Sequence, residues 1–192
     1  MWTYEAMDYY VKENLKETRY IHTLGVVKTA IALAKLNGAS EEKAKIAALL
    51  HDAAKNMKID EQVKILENNN IELDDVTKNS PQILHGLVAG ILARDIMEVT
   101  DSEILSAIAC HTTGKDNMSL LDKIIYISDY IEPNRNYNGV EELRELTFKD
   151  LNAGLLKGID NTIMYVIKLG QLVHPLTIEA RNYLILESQG NV

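Results

Sequence analysis

The sequence predicts an all-α fold, a bundle of packed helices. Proline occurs only at positions 81, 133 and 175, and no stretch alternates apolar and polar residues long enough to suggest a strand. Apolar residues recur instead at three- and four-residue intervals between capping residues, the period of a helix with one buried face.

The elements follow in order. Thr18 caps a helix through Tyr20, His22, Val26, Ala30, Ile31 and Ala34, and Gly38 stands just past its end as a left-handed stop. Ser40 starts the next, on which Ile46, Leu49, Leu50, Ala53 and Ala54 form one broad apolar face with His51-Asp52 near the C-terminal end. Asp60 opens a short helix through Val63, Ile65 and Leu66 that runs out in Asn68-Asn69-Asn70, a cluster that favours turn geometry. Ser80-Pro81 supplies a cap and a proline at the first helical position for a helix through Leu84, His85, Val88, Ala89 and Leu92. Asp101 or Ser102 begins another, through Ile104, Leu105, Ile108 and Ala109 to His111, before the Thr112-Thr113-Gly114 break. Ser119 caps a segment through Leu121, Ile124, Ile125 and Ile127 to Asp129, closed by Glu132-Pro133, with a polar loop beyond Asn134. The spacing from Leu151 to Ile167 and from Thr177 to Glu187 predicts packing helices without a catalytic constellation. No repeat, low-complexity run or linker interrupts the chain, so residues 1–192 read as a single domain.

Composition narrows the function. Twenty basic against 28 acidic residues, a formal net charge of -8, would repel a polyanion over most of the surface and exclude nucleic-acid polymer as a partner. A small phosphorylated ligand stays compatible, because metals and a few placed cations dominate the field inside a pocket. Charged residues break every hydrophobic stretch below the ~18 residues a bilayer crossing needs, so no membrane association is expected. The lone Cys110 has no disulfide partner in the chain and the N-terminus has no signal-peptide pattern, which together suggest a reducing cytoplasm. Oligomeric state is not legible.

Four of the five histidines and two aspartates occur in the order His22, His51-Asp52, His85, His111, Asp129, nearly all inside apolar helical runs. Taken singly, each histidine is most simply structural. The aspartates sharpen the pattern, since neither has a Lys or Arg immediately beside it in sequence and a buried carboxylate needs a cation. A divalent metal shared with imidazoles supplies that charge. Consecutive helical residues point about 100° apart, so His51 and Asp52 reach one site only if it lies in a crevice between helices. Imidazole and carboxylate ligands suit Fe, Mn, Zn or Ni, with Mg also compatible, and a carboxylate can bridge two ions. Six ligands suffice for a binuclear centre, whose chemistry is phosphoester or phosphoanhydride hydrolysis.

His22, His51-Asp52 and Asp129 in this order resemble the ligand signature of the HD-domain metal-dependent phosphohydrolases. Arg19-Tyr20-Ile21-His22-Thr23, His51-Asp52-Ala53-Ala54-Lys55, His85-Gly86, His111-Thr112-Thr113-Gly114 and Asp129-Tyr130-Ile131-Glu132-Pro133-Asn134-Arg135 are similar more narrowly to the YqeK branch, the symmetrical diadenosine tetraphosphate hydrolases. The resemblance implies the HD-domain helical bundle, a di-iron centre, and cleavage of the tetraphosphate bridge into two ADP by a bridging hydroxide. It further implies that His22, His51, Asp52 and Asp129 hold one metal, and that His85 and His111 with bridging Asp52 hold the second. Lys55 is then a catalytic cation beside Asp52, where an isolated lysine would read as a solvated surface residue. Arg19 and Arg135 become polyphosphate contacts rather than surface arginines, and Thr112, Thr113 and Gly114 a phosphate-binding turn rather than an ordinary helix stop. Tyr130 either stacks on a base or packs.

Glu132 reads as an exposed carboxylate before a helix-ending proline and His174 as structural, so both stay outside the site. Lys115-Asp116-Asn117, after the Thr-Thr-Gly turn, departs from the family pattern by placing an acid beside a phosphate pocket. The same chemistry on a deoxynucleoside triphosphate, a nucleoside monophosphate or a cyclic dinucleotide is the nearest alternative. A non-catalytic nucleotide sensor with a structural metal is another.

Overall fold

A computed structural model describes residues 1–192. Eleven α-helices and one 3-10 turn occur, with no strand: α1 (Tyr4–Asn14), α2 (Glu17–Asn37), α3 (Glu41–Leu50), α4 (Ile59–Asn68), α5 (Asp75–Lys78), the 3-10 turn Pro81–Ile83, α6 (Leu84–Asp95), α7 (Ser102–Cys110), α8 (Leu120–Ile131), α9 (Val140–Lys149), α10 (Leu151–Lys168) and α11 (Pro175–Ser188).

Several helix ends follow the capping chemistry legible in the sequence. Gly38 adopts φ 74°, the left-handed stop that ends α2. Ser40 Oγ accepts from the Lys43 amide, and Asp101 Oδ1 accepts from the Glu103 and Ile104 amides. Ser119 and Asp122 form a reciprocal capping box at the start of α8.

Other ends differ. The N-cap of α2 is Lys16 without a side-chain cap; Thr18 already lies inside the helix, and Lys16 donates its amide to Asn56 Oδ1 at 2.7 Å. α4 begins one residue before Asp60. Ser80-Pro81 opens a 3-10 turn rather than a capped α-helix, because Ser80 takes φ -132° and ψ 61°, outside the extended geometry an N-cap needs. α9 occupies part of the expected polar loop. Its buried stripe is only Val140, Leu143 and Thr147 within a charged run, too thin a signal to stand out. α1 is similar, with Met7 and Val11 as its fully buried anchors.

α2 packs against both α3 and α8, while α6 and α7 close the opposite side. Ala30 and Ala34 on α2 and Ala44, Ala47 and Ala48 on α3 are all fully buried. Their small side chains let the two backbones approach closely, as ridge-into-groove packing requires. α10 packs on α8, α9 and α11, and the core runs continuously from Met7 on α1 to Leu184 on α11. No helix is long and apolar enough to cross a membrane.

Candidate metal centre

Five helices deliver six side chains to one crevice. His22 comes from the second turn of α2, His51 and Asp52 from the turn that ends α3, His85 from the first turn of α6, His111 from the end of α7, and Asp129 from the last turn of α8. All but Asp129 are at least nine-tenths buried.

The four imidazoles are oriented from behind. His51, His85 and His111 each place Nδ1 on the carbonyl three residues back, Ala48 at 2.6 Å, Gln82 at 2.9 Å and Ile108 at 2.7 Å. Donation from Nδ1–H leaves the lone pair on Nε2, aimed inward, which is how metal-ligating histidines are held. His22 uses a carboxylate for the same purpose, its Nδ1 lying 3.1 Å from Glu132 Oε1.

Asp52 stands at the centre and faces two ways. Its Oδ2 lies 3.4 Å from His51 Nε2 and 3.9 Å from His22 Nε2, while its Oδ1 lies 3.0 Å from His85 Nε2 and 3.7 Å from His111 Nε2. His22 Nε2 is 2.9 Å from Asp129 Oδ1, and the His85 and His111 Nε2 atoms are 3.1 Å apart. Two ligands each ~2.1 Å from one ion at roughly 90–110° sit about 3.0–3.4 Å apart, the spacing of His51 and His85 from Asp52 and of His85 from His111. The Nε2 atoms of His22 and His51 are buried and make no hydrogen bond; His22 Nε2 approaches Asp129 without the geometry of one. Orphaned inward nitrogens beside two carboxylates fit a divalent metal centre, and His22, His51 and Asp129 on one side and His51, Asp52 and His111 on the other form compact groups that could hold an ion.

The electrostatics agree. Burial would raise the Asp52 carboxyl, but the surrounding imidazoles, His51 first, hold it well below the usual carboxylate range. Burial pushes the His85 imidazole down to about 4, so that it is neutral at physiological pH, the form a metal requires.

A profile of HD domains matches residues 19–134, which contain all six of these side chains. The chain belongs to the HD-domain family. It is 41% identical to the symmetrical bis(5'-nucleosyl)-tetraphosphatase of Halalkalibacterium halodurans, over 93% of this chain and 95% of that protein. It is 43% identical to the enzyme of the same description from Bacillus subtilis, over 91% and 94%. A crystal structure from Clostridium acetobutylicum, described as a predicted HD superfamily hydrolase involved in NAD metabolism, superposes with a TM-score of 0.95 at 48% identity, covering 97% of this chain and 99% of that one.

Around the HD centre, both aspartates have cations that the sequence order hid. Arg19 Nη1 lies 3.0 Å from Asp52 Oδ2, and Arg135 Nη2 lies 2.7 Å from Asp129 Oδ1. A metal is therefore not the sole source of positive charge for these carboxylates: helix α2 and the loop after α8 bring arginines from elsewhere in the chain. The HD lysine, Lys55, sets Nζ 3.2 Å from His85 Nε2 and 3.9 Å from Asp52 Oδ1 with about a third of its side chain exposed, and burial lowers its pKa.

Glu132 is the largest correction. It is 1% exposed, and while Oε1 meets His22, Oε2 accepts from the Asn134 amide at 2.7 Å and its side-chain nitrogen at 2.9 Å. The missed signal is Gly25, one turn along α2 from His22: a Cβ there would lie 2.1 Å from Glu132 Oε2. Arg144 on α9 also escaped notice. It donates to the carbonyls of Ile131, Glu132 and Arg135 at 2.7–2.8 Å and so clamps the loop that carries Glu132 and Arg135.

The Thr112-Thr113-Gly114 turn is occupied with itself. Thr113 Oγ1 donates to the Gly114 carbonyl, and the Gly114 amide, at φ 67°, donates to Cys110. Neither donor is free for phosphate, and Thr112 and Thr113 face a cavity of about 70 Å³ shared with His174. Lys115 turns to Asp122 at 3.2 Å, while Asp116 is exposed. Tyr130 is half-buried, edge-on to Tyr137 with ring centres 5.7 Å apart. His174 accepts the Leu176 amide at Nδ1 and meets Thr77 Oγ1 at 3.0 Å through Nε2, capping α11.

Proposed function

We propose that the protein cleaves diadenosine tetraphosphate symmetrically into two ADP at a binuclear, iron-containing centre, with residues 1–192 acting as one domain in the cytoplasm. The observation that carries this reading is Asp52, whose two oxygens face separate sets of imidazoles in a chain matching symmetrical tetraphosphatases over nearly its whole length. In this reading His22, His51, Asp52 and Asp129 hold one ion, and His85 and His111 share Asp52 with the other. Iron rests on family resemblance; the continuous core supports the single domain.

When bound, the ions supply Lewis acidity, lowering the pKa of water and drawing charge from phosphoryl oxygens. The chain contributes the remaining charge. Lys55 reaches the Asp52 Oδ1 side of the crevice and balances the negative charge that builds on the transferred phosphoryl group. Arg19 and Arg135 flank the other side and present planar donors to the polyphosphate. The Thr112-Thr113-Gly114 turn is outside this cationic set, since the donors of Thr113 and Gly114 are engaged within the turn and Thr112 lines the small cavity shared with His174. Small nucleotides thus meet a local cluster of cations on an otherwise acidic molecule.

The test is anaerobic incubation of iron-loaded protein with diadenosine tetraphosphate, with chromatography of products and metal analysis on the same sample. ADP alone is expected. ATP plus AMP overturns the symmetrical cut, and no product despite two metals per chain overturns the substrate, leaving another nucleotide or a sensor.

A further inference from the structure

Two clefts meet at Arg135, and their chemistries differ. The first, about 240 Å³, is bounded by Thr18, Arg19, His22, Glu132 and Asn134 together with Arg135, and contains no apolar residue. The second, about 640 Å³, lies beyond Asp129 and has an aromatic wall of Tyr130, Tyr137 and Tyr165 with the amides of Asn138 and Asn161. The side chains that separate them, His22 and Asp129, approach to 2.9 Å. A ligand crossing from one cleft to the other passes the metal-binding atoms.

The aromatic cleft is partly built and partly open. Tyr137 donates its hydroxyl to the Tyr130 carbonyl at 3.0 Å, which fixes one wall. The opposite wall is the last two turns of α10, where Met164 and Tyr165 are 69% and 61% exposed. Large side chains of that kind at a cleft mouth gain most from a flat apolar occupant. A volume of about 640 Å³ falls within the range of small-molecule pockets, roughly 300–1,000 Å³. Aromatic faces stack on any nucleobase, and an Asn side chain pairs in bidentate fashion with the N6/N7 edge of adenine.

Building on the nucleotide reading above, the geometry points to this cleft as the subsite for one nucleobase of the substrate, with Tyr165 and Asn161 of α10 as its specificity-determining contacts. The polyphosphate leaves the base past Asp129 and Arg135 and runs toward Arg19 in the polar cleft. α10 is therefore part of the substrate site as well as a packing helix. A base anchored at a constant distance from the metal ligands also determines which phosphorus is attacked.

The experiment is calorimetric titration of metal-loaded protein with ADP, GDP and inorganic pyrophosphate, comparing the parent chain with Tyr165→Ala and Asn161→Leu. Both side chains are at least partly exposed, and metal content and circular dichroism check each variant's fold. Each substitution is expected to weaken ADP about 5- to 100-fold while pyrophosphate changes by less than about twofold. Asn161→Leu should also remove the preference for ADP over GDP. Unchanged ADP binding in both variants overturns the subsite, as does an equal loss of ADP and pyrophosphate, or a parent protein that does not bind ADP. Diadenosine tetraphosphate turnover on the same preparations separates the two readings. ADP binding that depends on Tyr165 and Asn161 without turnover removes the substrate and keeps the subsite, whereas turnover with variants that bind ADP normally removes the subsite alone.

Discussion

Glu132 makes His22 a preset ligand: one carboxylate oxygen holds Nδ1 and the other is tied to Asn134, so the ring presents Nε2 without further freedom. Losing such a partner typically costs 10–100-fold in metal affinity. Glu132→Ala is expected to lose metal on that scale in equilibrium dialysis, and Glu132→Gln, which keeps an acceptor for His22, to recover most of it. Lys55 acts on charge rather than on occupancy. Lys55→Ala should retain metal and lower turnover by about 10²-fold or more, the scale of removing one electrostatic donor. Unchanged turnover would end that assignment. Asp52 and Asp129 show how far sequence adjacency can mislead, since Arg19 and Arg135 stand 33 and 6 positions away and still pair with them.

Helices α9 and α10 are joined by an absence of side chain. A Cβ at Gly154 would lie 2.5 Å from Thr147 Cα, a backbone atom that cannot swing aside. Gly154→Ala should therefore push the two helices apart and cost about 1–3 kcal/mol in denaturant unfolding, the range for overpacking a close contact. α11 has a different anchor, the His174 cap that also reaches Thr77 on α5. His174→Ala is expected to lower stability by about 0.5–2 kcal/mol, as loss of an N-cap does, without changing metal content or the pH profile of turnover. A loss of metal in that variant would place His174 closer to the chemistry than its hydrogen bonds do. Two of the three helices without a sequence signal, α1 and α9, bury narrow stripes and depend on neighbours for their stability, and the third, α5, is a single turn.

At the scale of the molecule, metal and fold are linked because the ligands come from five helices that meet only in the folded chain. Binding to the native state alone stabilises by about 2.7 kcal/mol at a hundredfold excess over Kd. Chelation should lower Tm, and metal restored to the sample should recover it. His51→Ala, lacking the residue shared by both compact ligand groups, should show little of that shift. An equal chelator response in the variant would mean that the stabilising ion binds elsewhere. Net charge of -8 belongs to this scale too, since it opposes a polyanion over most of the surface while Arg19 and Arg135 concentrate positive charge at one mouth.

The sequence by itself determined the helical class, several helix boundaries and six candidate ligand positions that the fold gathers in one crevice, because helical periodicity and capping are local and the motifs are contiguous runs read against a family pattern. Tertiary structure decided what those ligands rest on. Glu132, Arg144 and the Arg19 and Arg135 pairings are contacts between separate helices and loops, and no local pattern encodes them. The aromatic cleft is likewise assembled from the end of α8, the loop after it and the far turns of α10, so its chemistry exists only where the folded chain brings those side chains together.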